Sequence, residues 1–146
     1  DARVFLMERT NARHVASLPE PVQLVVIDAS FISLRILLPV ARDWLEPHSG
    51  SIIALVKPQF EAGKKTAGRG RGVILDEKIH REVVQAILEY SLSIGLTPTG
   101  LIYSPLTGPK GNHEFLVWLA GCGQGAVDIS TLLSACFDHP PAPTGA

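Results

Sequence analysis

Four ionisable side chains stand where apolar runs begin or end. Glu8 closes "RVFLME", Asp28 closes "QLVVID", Lys57 closes "GSIIALVK", and Glu114 lies just inside "HEFLVWLAG". An amine at the edge of a core is costly unless it has a partner or a task. Carboxylates from neighbouring segments could supply either. Each residue also has a plain structural reading. Glu8 is then a solvated strand end, Asp28 caps the turn "DASFIS", and Lys57 and Glu114 form an ion pair. Singly, the plain readings win. Together, beside the glycine-rich basic stretch that follows Lys57–Pro58, they point to a site.

The elements that must carry these residues alternate between strand and helix. "RVFLME" (Arg3 to Glu8) and "QLVVID" (Gln23 to Asp28) read as short strands, the second without alternation, as for a strand covered on both faces. In "SFISLRILLPVARDWL", Leu34, Leu37, Leu38, Ala41 and Leu45 fall at helical spacing, with Pro39 expected in the first turn of the helix. "GSIIALVK" is the next strand. "DEKIHREVVQAILEYSLSIG" is the clearest helix, with Asp76 as N-cap and Gly95 as stop. "TPTGLIYSPL" and "HEFLVWLAG", joined by "TGPKGN", read as antiparallel neighbours. A weak helix (Ile129 to Phe137) precedes a Pro-rich tail expected to be disordered. This order predicts an α/β sheet, mostly parallel, with a C-terminal antiparallel hairpin. In such sheets, sites form beyond the carboxyl ends of the strands.

Composition narrows the class. The 146 residues are 46% hydrophobic and 18% charged, enough for one soluble domain with a real core. A net charge of −1 excludes a global field that attracts nucleic acid, so any such attraction is local. It is concentrated from Lys57 to Gly72, where five basic residues face one acid, Glu61. Cys122 and Cys136 form no metal-type pair, which fits a reducing, cytoplasmic compartment without a disulfide framework. The N-terminus shows no signal pattern. The charge-free window Tyr90 to Pro109 is broken by Gly and Pro, so no membrane span is expected. No histidine or cysteine pair has ligand spacing, so no metal is expected. His113 should point away from Glu114 by strand alternation and is read as structural.

"VVIDASFISLRILLP", "LVKPQFEAG" and "SPLTGPKGNHEFLVWL" closely resemble the hemolysin-A (TlyA-type) ribosomal RNA 2′-O-methyltransferases, part of the FtsJ-like group; "RVFLMERTNAR" resembles the second strand of that family. The resemblance covers about the first 120 residues. It implies a Rossmann-like, S-adenosylmethionine-dependent methyltransferase domain over 1–121, and a tail over 122–146. It implies a Lys-Asp-Lys-Glu catalytic set in which Asp28, Lys57 and Glu114 are the last three members. It places Glu8 at the ribose hydroxyls of the cofactor, with Asp28 also beside the cofactor. The first strand, its glycine-rich loop and the first lysine are expected upstream of this sequence, and the piece alone is expected to be inactive. The first strand should lie between those ending at Glu8 and Asp28.

In the implied reaction a ribose 2′-oxygen attacks a sulfonium methyl group. Lys57 is the candidate base. Flanking carboxylates favour its charged form, in which it would instead stabilise the developing alkoxide. Both roles stay open. Lys64, Lys65, Arg69 and Arg71 are the candidate RNA contacts, able to neutralise phosphates, so replacing all four by Ala should weaken RNA binding and flatten its salt dependence. The partner is then ribosomal RNA or a ribosomal subunit. Competing readings are a methyltransferase for a small molecule or protein with the basic loop as lid, a membrane-active hemolysin, and a non-catalytic RNA-binding remnant.

Overall fold

The computed structural model describes residues 1–63, 72–108, 110–121, 125 and 127–139. The basic residues Lys64, Lys65, Arg69 and Arg71, Cys122, and the tail beyond 139 lie outside them. The elements are β1 (Leu24–Ile27), α1 (Leu34–Asp43), β2 (Ser51–Val56), α2 (Pro58–Glu61), α3 (Glu77–Ser93), β3 (Thr97–Tyr103), β4 (Phe115–Ala120) and α4 (Ile129–Phe137), preceded by a 3-10 turn at Ala12–His14.

The four strands form one sheet in the order β1-β2-β4-β3. β1 and β2 are parallel, with Ile27 opposite Ala54. β4 runs antiparallel to both β2 and β3, so β1, β2 and β3 share one direction and β4 is the reversed strand between them. The sheet is therefore mixed, and the β3–β4 pair is the antiparallel hairpin expected from "TGPKGN".

One face of the sheet holds the core. Val25, Ile27, Ile52, Ala54, Val56, Val117 and Leu119 pack there with Leu37 and Leu38 of α1, Val84, Ile87 and Leu88 of α3, and Leu132 and Leu133 of α4. The other face carries Leu24, Val26, Ile102 and Trp118, all exposed. Val26 and Trp118 lie in one row across the sheet, Val26–Ile53–Trp118–Gly100. β1 is thus buried on alternate residues rather than on both faces. Its unbroken apolar run reflects outward valine and leucine, not a second covering layer among the described residues.

Two further expectations change. Arg3 to Glu8 forms no strand; Val4, Phe5, Leu6 and Met7 are exposed. Apolar, β-branched residues favour a strand only where a neighbouring strand accepts their backbone groups, and this segment pairs with none of the described strands. α1 starts at Leu34, which leaves Pro39 inside the helix rather than in its first turn. Proline leaves the carbonyl four residues earlier without a donor. That carbonyl, Arg35 O, accepts a hydrogen bond from the Tyr90 hydroxyl at 3.0 Å. A side chain from α3 thus replaces the missing backbone donor.

α3 follows the sequence closely. Asp76 caps it by accepting from Lys78 N, and Gly95 follows with φ 82°. Among the described residues, no helix is long and apolar enough to cross a membrane.

Candidate active site

Strand direction brings three of the four residues together. Asp28 follows the last residue of β1, and Lys57 follows the last residue of β2. Because β4 runs the other way, Glu114, immediately before its first residue, reaches the same sheet edge. Val56 pairs with Phe115, so Lys57 and Glu114 occupy adjoining strand ends.

Lys57 Nζ lies 2.6 Å from Asp28 Oδ1 and 3.4 Å from Ser30 Oγ. The lysine side chain is 12% exposed and the aspartate 68%, so the amine is held inside while its counter-ion faces outward. Glu114 is buried and does not pair with Lys57; its Oε1 accepts from Gln59 Nε2 at 3.5 Å. Gly108 leaves room for it, since a Cβ there would stand 2.8 Å from Glu114 Oε1.

Lys57 and Glu114 line a cavity of about 460 Å³ with Ser30, Phe31, Gln59, Phe60, Gly72, Lys110 and Asn112. Phe31 is 90% exposed and takes φ 64°, in the left-handed region that bulky residues avoid. Its ring meets that of Phe60 at a centroid distance of 4.9 Å.

Glu61 fixes this arrangement. Ser33 Oγ donates to Glu61 Oε2 at 2.6 Å and Leu34 N donates to Oε1 at 2.7 Å, so a carboxylate at the end of α2 caps the start of α1. Residues 59–61 are thereby held beside residues 30–33. On the opposite side, the buried Asn112 accepts from Ile74 N at 3.0 Å and donates to Gly72 O at 2.9 Å. The chain at 72–74 is pinned against the β3–β4 connection. His80 Nε2 contacts Ile74 O at 2.8 Å. Burial, foremost, holds the His80 ring below its ordinary pKa, so the neutral tautomer donates through Nε2.

Glu8 is not brought into the cavity. It sits in the exposed N-terminal segment, where its backbone carbonyl accepts from Thr10 Oγ1. His113 turns away from Glu114, as alternation requires, into contact with His80 and Tyr103. Sequence reasoning missed Ser30, Phe31, Gln59, Phe60, Lys110 and Asn112. All fall inside the quoted stretches "VVIDASF", "VKPQF" and "TGPKGN", so their adjacency to Asp28, Lys57 and Glu114 was the available signal.

Comparison with known proteins gives a consistent result. The chain is 44% identical over 131 residues to YqxC of Bacillus subtilis (strain 168), named as a candidate rRNA methyltransferase, covering 86% of this chain and 45% of that protein. It is 43% identical over 123 residues to the 16S/23S rRNA (cytidine-2′-O)-methyltransferase TlyA of Mycobacterium tuberculosis, covering 82% of this chain and 44% of that protein. The crystal structure of a candidate hemolysin from Lactococcus lactis superposes with a TM-score of 0.78 at 36% identity, covering 92% of this chain and 67% of that one. The chain thus spans a little under half the length of the two named relatives. A family model described as FtsJ-like methyltransferase matches residues 1–121. With a match of that extent, the chain belongs to the FtsJ-like methyltransferase family.

Proposed function

We propose that this chain carries the catalytic end of an S-adenosylmethionine-dependent methyltransferase that modifies the ribose 2′-hydroxyl of ribosomal RNA. The observation that carries the reading is the Lys57–Asp28 contact opening onto a cavity that also holds Glu114. The names of the two relatives support the substrate class.

The donor set suits a sulfonium methyl donor. Asp28 offers an exposed carboxylate beside Lys57 for hydroxyl or ammonium groups, and Glu114 is a buried carboxylate with only an amide partner among the described residues. When bound, S-adenosylmethionine supplies an electrophilic methyl group. Lys57 positions the ribose 2′-oxygen. The amine, 2.6 Å from Asp28 Oδ1, stabilises negative charge as it develops on that oxygen. In this reading the hydroxyl proton passes to Asp28, which contacts the same amine. Phe31 offers an exposed ring on which the target base stacks. Glu8 is the proposed acceptor for the hydroxyls of the cofactor ribose, in keeping with the family resemblance, and Glu8→Gln should weaken cofactor binding. Lys64, Lys65, Arg69 and Arg71 remain the proposed phosphate contacts.

The test is methyl transfer from labelled S-adenosylmethionine to unmodified ribosomal RNA by the protein that carries this chain. The label should survive alkaline hydrolysis within a dinucleotide, because a 2′-O-methyl group blocks cleavage. Label released on a free mononucleotide, or no transfer to RNA, would overturn the proposal.

A further inference from the structure

Asn112 does for one short segment what a neighbouring strand would do. Residues 72–74 belong to no helix or strand. Three of their backbone groups are bonded instead by buried side chains from elsewhere. Asn112 Nδ2 donates to Gly72 O at 2.9 Å, and Asn112 Oδ1 accepts from Ile74 N at 3.0 Å. His80 Nε2 donates to Ile74 O at 2.8 Å. A C=O and an N–H two residues apart are the pair that a parallel strand engages. A side-chain amide carries the donor and the acceptor needed to imitate it, whereas a carboxylate would set oxygen against the Gly72 carbonyl. Asn112 is 4% exposed, so these bonds have little competition from water.

The bonds hold part of the cavity. Gly72 lines it and takes φ 86°, the left-handed region that suits glycine. A Cβ built on Gly72 would meet nothing within 4 Å, so packing does not fix its place. Ile74 is anchored by its own burial; Gly72 depends on the bond from Asn112. Asn112 also closes the turn before it. Its backbone O accepts from Gly108 N at 2.9 Å, and Gly111 N donates to Gly108 O at 2.8 Å. That turn carries Lys110, which lines the cavity too. The reacting groups are held by other partners: Lys57 by Asp28 and Ser30, and the Glu114 carboxylate by Gln59.

Resting on the function proposed above, we propose that Asn112 is a positioning residue for the RNA: it joins Gly72 and the Lys110 turn into one wall of the cavity, against which the RNA seats. Gly72 follows Arg71 directly in the chain, so the same bond fixes where the basic stretch meets the cavity. Asn112 thereby governs how tightly RNA is held and leaves the methyl-transfer step to Lys57, Asp28 and Glu114. An interaction of this kind lowers KM without changing kcat.

The test separates seating from turnover, using the protein that carries this chain and unmodified ribosomal RNA. Asn112→Ala should raise both the Kd and the KM for the RNA about tenfold while kcat stays within about twofold. Asn112→Asp, which keeps the acceptor for Ile74 N and loses the donor to Gly72 O, should weaken RNA binding in the same direction. A role in folding alone would instead lower the active fraction, and so kcat, at constant KM. A second measurement needs no variant to fold. In the unaltered protein, hydrogen–deuterium exchange over 72–75, read by mass spectrometry, should slow about threefold or more when ribosomal RNA binds. A fall in kcat at constant KM, RNA affinity unchanged in both variants, or exchange over 72–75 indifferent to RNA would each overturn the inference. RNA bound without methyl transfer would strike the proposed function, with the role of Asn112 still read from Kd and exchange. Methyl transfer with an RNA affinity that Asn112→Ala leaves untouched would strike the inference alone.

Discussion

Lys57 Nζ and Asp28 Oδ1 meet at 2.6 Å across the carboxyl ends of two adjacent parallel strands, the amine inside and the carboxylate facing out. If the charge of Lys57 is what the reaction uses, Lys57→Met should lower the single-turnover methyl-transfer rate about 10²- to 10⁴-fold. Lys57→Arg, which keeps the charge, should recover a substantial part of it. An arginine variant as slow as the methionine variant would show that Lys57 acts by taking the proton itself. Asp28 is largely exposed, so Asp28→Asn should reduce the rate with little effect on the thermal midpoint.

Gly108 faces the carboxylate of Glu114 so closely that an added Cβ would stand 2.8 Å from Oε1. The end of a glutamate side chain can move, so Gly108→Ala should fold with nearly unchanged stability while displacing Glu114. Methyl transfer should fall at least severalfold, and denaturant unfolding should stay within about 0.5 kcal/mol of the original.

Tyr90 and Pro39 form a compensated pair. Tyr90→Phe removes the donor to Arg35 O and should cost about 0.5–1 kcal/mol. Pro39→Ala restores a backbone N–H that can reach the same carbonyl. In that background Tyr90→Phe should cost measurably less. Denaturant unfolding of the four proteins as a double-mutant cycle tests the coupling, and additive effects would contradict it.

His80 links pH to stability. Its pKa is lowered chiefly by burial and also by the neighbouring His113, while the bond to Ile74 and the carboxylates of Glu77 and Asp76 act the other way. With the folded value below the unfolded one, the neutral ring contributes stability that is complete above the unfolded pKa of about 6.5. This contribution is lost as pH falls through the folded value. Stability of the native chain should therefore decline from pH 7 toward pH 5. His80→Gln, with no ring to titrate, should show a shallower decline in denaturant midpoint over that window.

Much of this layout was legible in the sequence because local signals and tertiary context agreed. Asp76 and Gly95 bracket α3 by capping chemistry that needs no distant partner. The short "TGPKGN" connection required antiparallel neighbours, and that reversal brings Glu114 to the edge where Lys57 sits. What was not legible depended on contacts far along the chain. Nothing local announces that Tyr90 will rescue the carbonyl freed by Pro39, so that α1 carries Pro39 inside the helix rather than in its first turn. The segment Arg3 to Glu8 has strand composition but no ladder to join. Gln59 is an ordinary polar residue in sequence; only burial of its oxygen beside Glu114 marks it.

The most direct test is to locate the methyl group placed on ribosomal RNA by the unaltered protein and by Lys57→Met. Nuclease digestion and mass spectrometry should find 2′-O-methylated ribose with the first and none with the second. A methyl group on a base, or a 2′-O-methyl yield that Lys57→Met leaves unchanged, would contradict the role given to Lys57.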